Sequence, residues 1–270
     1  MSTFELPPES RGQAPSRQRM LGRRVVVGAG QTEFHLEEQP IGNGRAIAVL
    51  LAREGAEVVA VDRDESSAEG TVELIRAEGG TASAWIADVS EPRAIEEMVE
   101  GARRQLGGLD GLAYNVGVTG PLGFEDSTPE AWDATFSVNL RGAMLTARAA
   151  LPVMEPGSSL VFTSSTGALR GNASLMAYAS SKAGLAALVR SVASARKDDA
   201  VRANIVMPGM VDTGLGRSAS RDLGRAATPV ALGRQGTAWE VAYAALFLLS
   251  QESAYVTAQT LVVDGGLTTL

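Results

Sequence analysis

Tyr178 and Lys182 stand four residues apart, in the stretch AYASSKAG. On a helix that spacing places both side chains on one face. A nearby ammonium favours phenolate over phenol and lowers a tyrosine pKa from about 10, which makes the phenol a usable general acid or base near neutral pH. Lysine is scarce in this chain: only Lys182 and Lys197 occur, and arginine is used elsewhere. Arginine is a fixed fork that does not lose its charge, so a compact ammonium one turn from a tyrosine stands out against the composition. Taken alone, a Tyr-x-x-x-Lys pair is also what a helix surface carries. Ser165, thirteen residues before Tyr178, ends an apolar run and could hold a carbonyl or alcohol oxygen beside the phenol.

Such groups need elements to position them. Short apolar runs alternate with longer helical patterns, which predicts βαβ units and a parallel sheet. Strands are expected at RRVVVG, AEVVAVD, TASAWIA, LDGLAYN, SSLVFTS, VRANIVM and QTLVVD. They lack polar alternation, as strands covered on both faces should. Helices are expected at GRAIAVLLAREG, SAEGTVELIRAEG, PRAIEEMVEGARRQLG, from about Pro129 to Met154, from about Leu175 to Lys197, and at TAWEVAYAALFLLS. The fold class is therefore α/β, a Rossmann-type doubly wound sheet of about seven strands with helices on both faces, in one domain over residues 22–270. Residues 1–21 read as a flexible extension, polar and proline-containing, without the apolar core of a secretory signal. The alternative is an arm that packs on a neighbouring subunit. Open sheets of this kind place ligands at strand C-termini, where Ser165 falls.

Composition narrows the function. The 270 residues carry 24 Lys+Arg against 31 Asp+Glu, a net charge of -7, which argues against a nucleic-acid or anionic-membrane surface. There is no cysteine and one histidine, so a metal centre is not expected. No run reaches the roughly 18 apolar residues of a membrane span, and the cytoplasm is the expected compartment.

A second constellation lies in VVVGAGQTEFHLEEQPIGNGRAIA, from Val25 to Ala48. Gly28, Gly30, Gly42 and Gly44, with Ile41 and Asn43, can form a turn without Cβ atoms, leading into a helix whose N-terminus faces a pyrophosphate. Asp62 follows Gly44 by 18 residues, near the spacing of the acid that binds an adenosine ribose. An acid accepts hydrogen bonds from a free 2′-hydroxyl and repels a 2′-phosphate, so NAD is favoured over NADP. Arg63 next door is the group that could still find a phosphate. The glycines could also serve as turn formers only, and Asp62 as a helix cap.

Together these motifs, over about residues 22 to 268, resemble a short-chain dehydrogenase/reductase of the classical type. Gly28…Gly42-Asn43-Gly44 resembles the family's TGxxxGxG loop, with Val27 where threonine is usual. Asp88-Val89 resembles its Asp-Val pair at the adenine, and Asn115-Val116-Gly117 its Asn-Ala-Gly after the fourth strand. Asn139, in SVNLRG, matches the asparagine that holds a relay water. Ser165, Tyr178 and Lys182 match the catalytic set. Pro208-Gly209, Val211 and Thr213, in MPGMVDTG, match the segment that grips the nicotinamide carboxamide. The resemblance implies a nicotinamide dinucleotide as cofactor, NAD by the Asp62 reading, with Tyr178 and Lys182 also touching it. It implies a small-molecule secondary alcohol or ketone as substrate and a homotetramer. An NADPH-dependent 3-oxoacyl thioester reductase and a non-catalytic NAD-binding sensor or scaffold are the alternatives.

The main departure is length. Thirteen residues separate Gly28 from Gly42 where the family motif has three, an excess of ten. The insert, about residues 31–40, is either a solvent-exposed excursion or a flap over the pyrophosphate or adenosine. Glu33, Glu37 and Glu38 should point outward or meet arginines such as Arg45, and His35 should be exposed. A substrate lid is expected over about 214–233. The pocket is expected from Ser165–Leu169, Asn172–Met176, Gly209-Met210 and that lid, with Leu122 and Leu215 making it largely apolar. Arg170, Arg217 and Arg221 are either surface groups or a reception for an anion.

Overall fold

The computed structural model describes residues 18–31, 40–120, 122–170, 173–217 and 230–270. Seven strands form one parallel sheet: β1 (Arg24–Gly28), β2 (Glu57–Asp62), β3 (Thr81–Ile86), β4 (Gly111–Tyr114), β5 (Ser159–Thr163), β6 (Arg202–Pro208) and β9 (Thr260–Val263). A separate two-stranded pair joins β7 (Val211–Asp212) to β8 (Gly236–Thr237). The order across the sheet is β3-β2-β1-β4-β5-β6-β9, so the winding reverses between β1 and β4. Register is fixed there by Val26 opposite both Val59 and Leu112. The seven expected strands are these seven. β4, β5 and β6 are buried at every position, which is why their sequences read as continuous apolar runs.

Helices cover both faces. On one, α1 (Asn43–Arg53), α2 (Glu65–Ala77) and α7 (Ala238–Leu249) close a core of Ile47, Leu51, Val72, Ile75 and Leu246. On the other, α3 (Pro92–Leu106), α5 (Gly142–Ala150) and α6 (Met176–Ala195) enclose Ile95, Met98, Leu145, Phe162 and Leu185. Local chemistry sets their ends. Asp64 accepts from the Ser67 N–H at 2.8 Å and starts α2. Pro92 opens α3, and Gly107 closes it with φ +72°. Thr237 and Glu240 form a reciprocal capping box on α7.

Two expectations need correction. The helix expected from Pro129 to Met154 is continuous but not regular: α4 (Pro129–Phe136) passes through a π turn at Ser137–Arg141 into α5, and Leu151–Val153 closes it as a 3₁₀ turn. Apolar spacing does not reveal one extra residue in a helical turn. The extension expected through residue 21 is also docked over its described part. Met20 is 1% exposed, its N–H donates to Glu54 O at 2.9 Å, and Arg19 pairs with Glu54 at 2.6 Å. Residues 1–17 lie outside the described residues.

Candidate active site

The C-terminal ends of β1, β2, β4, β5 and β6 open into one cleft at the winding reversal. Its β5–α6 wall is held from within. The Lys182 ammonium, 3% exposed, donates to Thr163 O at 2.9 Å, and Ser164 Oγ donates to the Lys182 carbonyl at 2.9 Å. One turn before it, Tyr178 is half-buried, with its ring centroid 5.9 Å from Lys182 Nζ. Burial lowers the Lys182 pKa to about 8, so the ammonium persists at neutral pH but is easily discharged. Ser165 Oγ accepts from the Gly167 N–H at 3.2 Å. A Cβ placed on Gly167 would stand 3.4 Å from Ser165 Oγ and 3.9 Å from Tyr178 Cε1, so hydroxyl and phenol ring flank the same point.

Behind this wall sits Asn139, fully buried in the π turn. Its Oδ1 accepts from the Val118 N–H at 2.8 Å, and its Nδ2 donates to Val118 O at 2.9 Å and Ser181 Oγ at 3.0 Å. The π turn ties the β4 loop to α6 through one side chain. Between Asn139 and Lys182 lies the bare Cα of Gly117. A Cβ there would stand 2.9 Å from Lys182 Nζ and 3.3 Å from Asn139 Oδ1.

The opposite wall is the glycine-rich turn. Gly44 packs so closely on β1 that a Cβ would meet Gly28 O at 2.2 Å, and a Cβ on Gly30 would fall 1.8 Å from Asp62 Oδ2. Asp62 ends β2 over Gly30 and accepts from the Asp64 N–H at 2.9 Å, and burial raises its pKa. Gly42 caps α1 with no side chain of its own, and the Asn43 Oδ1 beside it is buried without a hydrogen-bond partner. A helix N-terminus lined by glycines, with an orphaned polar atom and a carboxylate at the end of β2, fits the phosphates and ribose of a dinucleotide.

Of the expected residues, Gly28, Gly30, Gly42, Asn43, Gly44, Asp62, Asn115, Gly117, Ser165, Tyr178, Lys182, Pro208, Gly209, Val211 and Thr213 line this cleft. Ile41, Arg63, Asp88 and Val89 are not part of its lining among the described residues. Val89 is in the core, and Asp88 accepts from the Ser90 N–H at 2.8 Å. From the expected pocket, Met210, Leu175, Gly214 and Leu215 line it, and Met176 and Leu122 do not. Arg217 is held by Asp212 at 2.6 Å, and Arg170 donates to Leu267 O at 3.0 Å. Glu33, His35, Glu37, Glu38, Asn172 and Arg221 lie outside the described residues. Sequence reasoning missed Gln31 as a wall of the cleft, and also Thr119, Thr163, Ser164 and Gln235. None of these carries a spacing signal; only the folded chain brings them here. Among the described residues no group of three His, Asp or Glu side chains could hold a metal, and no helix is long and apolar enough to cross a membrane.

The family model described as enoyl-(acyl carrier protein) reductase matches residues 39–268. The 2-(S)-hydroxypropyl-CoM dehydrogenase 3 of Xanthobacter autotrophicus is 34% identical over 239 residues, 85% of this chain and 93% of its own. The 3-oxoacyl-(acyl-carrier-protein) reductase of Thermotoga maritima is 33% identical over 229 residues, 84% of this chain and 93% of its own. A crystal structure from Burkholderia xenovorans, titled as a short-chain dehydrogenase/reductase, superposes with a TM-score of 0.84 at 36% identity, covering 93% of this chain and 98% of that one.

Proposed function

The chain belongs to the short-chain dehydrogenase/reductase family of oxidoreductases, and on that premise we propose that it interconverts a secondary alcohol and a ketone with NAD(H), using Tyr178 as the proton-transferring group. The observation that carries this reading is the sharing of one cleft by Ser165, Tyr178 and Lys182 on one wall and the glycine turn with Asp62 on the other. A bound nicotinamide supplies the hydride acceptor for an alcohol, or the donor for a ketone. The chain's own residues do the rest. Gly28, Gly42, Asn43 and Gly44 receive the pyrophosphate, Asp62 the adenosine ribose, and Pro208, Gly209, Val211 and Thr213 the nicotinamide side.

Tyr178 takes the alcohol proton, or returns it to the ketone oxygen. Lys182 stabilises the phenolate by its charge and needs no carboxylate partner to do so. Ser165 Oγ holds the substrate oxygen beside the phenol. The space left open by Gly117 lies between the Lys182 ammonium and the remaining lone pair of Asn139 Oδ1, where a water can carry the proton outward. Thr119, Leu175, Met210 and Leu215 surround the reacting carbon with a mixed, largely apolar wall.

Y178F is the direct test. It should lower kcat by about 10³-fold on any alcohol or ketone the wild-type protein accepts, with NADH binding retained; undiminished turnover would end the proposal. A reductase for 3-oxoacyl thioesters using NADPH is the competing reading, supported by the Thermotoga relative. The carboxylate of Asp62 weighs against a 2′-phosphate, and matched rates with NADH and NADPH decide between them. We also infer a homotetramer working in the cytoplasm. Tyr255, Leu261 and Val262 leave the β9 edge apolar and exposed, and light scattering would measure the subunit number.

A further inference from the structure

The glycine turn is interrupted by ten more residues than the family motif holds, yet its two limbs are in place on the cleft. What joins them is a side chain. Gln31, at the start of the insert, turns its Oε1 onto the N–H of Gly42, the N-cap of α1, at 2.9 Å. The bond spans 11 residues of sequence and closes the base of the insert. The Gln31 carbonyl in turn accepts from Ser67 Oγ at 2.9 Å, and two residues earlier the Ala29 carbonyl accepts from Thr71 Oγ1 at 2.9 Å. Ser67 and Thr71 are one turn apart on α2, and both are buried. The downstream limb reaches the same two residues: Arg45, in the first turn of α1, donates from Nε to Thr71 Oγ1 at 2.9 Å and from NH2 to Ser67 O at 3.1 Å. Both limbs are thus moored on one spot of α2, and Gln31 closes the ring.

The geometry points to Gln31 as a positioning residue that makes an interrupted loop act as a single phosphate-binding turn, and so as a determinant of dinucleotide affinity. A free insert would let the N-terminus of α1 fluctuate away from Gly28, and the ligand would then have to order it on binding.

This inference rests on the NAD(H) reading above, and the test separates the two. NADH binding is followed by fluorescence in wild type, Q31A and Q31E, with hydrogen exchange of the unliganded protein at Gly42 to Arg45. Q31A should bind NADH about tenfold more weakly and exchange faster at Gly42, with kcat at saturating cofactor within about twofold of wild type. Q31E can still accept from Gly42, so it should restore slow exchange while its charge keeps NADH binding weak. A double-mutant cycle supplies the second arm. Deleting residues 32–41 puts Gln31 directly before Gly42 at the family spacing, and there Q31A should lose its effect on affinity. If wild type binds NADH and Q31A binds it equally, or if Q31A costs as much in the shortened chain, the clasp is wrong and the function stands. If wild type binds neither NADH nor NADPH, the functional reading fails, and exchange at Gly42 still decides whether Gln31 holds the turn.

Discussion

Two cations are buried at opposite ends of the same sheet, and the fold treats them differently. Arg202 begins β6 at the N-terminal edge, 5% exposed, and donates to Leu248 O at 2.9 Å, Ser253 Oγ at 2.7 Å, Val256 O at 3.4 Å and Ser250 O at 2.9 Å. Lys182 lies beside the C-terminal end of β5, 3% exposed, with Thr163 O as its hydrogen-bond acceptor among the described residues. Among the described residues neither faces a carboxylate. Burial lowers both, Arg202 to about 10 and Lys182 to about 8. The arginine spreads its charge over the carbonyls at the C-terminal end of α7, where the helix dipole favours it. The lysine keeps donors in reserve beside a cleft. A saturated buried charge ties elements together, and an unsaturated one is poised for a ligand.

Replacing each cation by methionine should separate the two roles. K182M is expected to lower turnover by about 10³-fold, equivalent to about 4 kcal/mol of transition-state stabilisation. Its melting temperature at pH 7 should not fall, because a poorly compensated charge leaves the interior. R202M should do the reverse. Loss of its charged hydrogen bonds should cost about 3 kcal/mol of stability, with kcat of the folded protein near wild type. Thermal melts and steady-state kinetics on the same preparations measure both. A K182M protein that melts well below wild type, or an R202M protein that folds normally but is inactive, would break the distinction.

The lysine should also write itself into the pH dependence of stability. Its folded pKa of about 8 lies below the model-compound value of 10.5, so between these pH values the unfolded chain binds more protons than the folded one. Unfolding free energy from this group therefore rises with pH across that window, and the penalty is fully present below pH 8. Relative to K182M, wild type should gain about 2 kcal/mol between pH 8 and 9.5. The comparison belongs below pH 10, because burial pushes the Tyr114 phenol up and its unfolded-state ionisation acts in the opposite sense. Denaturant midpoints for the pair at several pH values read the difference directly, and parallel curves would mean that Lys182 is not the buried ammonium described here.

The two cations also mark what a sequence discloses. Lys182 is legible because a chemical partner stands one turn away and lysine is rare in this chain. The central strands are legible because burial on both faces leaves apolar runs, whereas β3 and β9 at the sheet edges are partly exposed and are marked by their short Val-, Ala- and Leu-containing runs alone. Arg202 is not: a buried arginine and a surface one look alike until the carbonyls around it are known. The same holds for Gln31, whose partner Gly42 is reached across the insert, and for Met20, whose burial depends on the turn after α1. The π turn carrying Asn139 escaped because helix periodicity tolerates one added residue without losing its apolar face. Local chemistry and repeated burial can be read from spacing; bonds that close across distant segments cannot.

The finest distinction is within the arginine's own shell. Ser253 Oγ accepts from Arg202 at 2.7 Å while its hydroxyl can donate to Leu248 O at 3.0 Å or Ser250 O at 3.2 Å. It supplies the one hydroxyl among acceptors that are otherwise backbone carbonyls. S253A removes that acceptor and leaves the three carbonyl contacts, so it should cost about 1 kcal/mol and shift the melting temperature by roughly 3 °C in a domain of this size. S164A is the matched change at the other end, where the Ser164 hydroxyl donates to the Lys182 carbonyl and not to its ammonium. That serine holds the helix that carries the cation, so its loss should appear in kcat as well as in the melt. If S253A also lowered kcat, the saturated end of the sheet would be coupled to the cleft, and the division between structural and chemical charge would have to be given up.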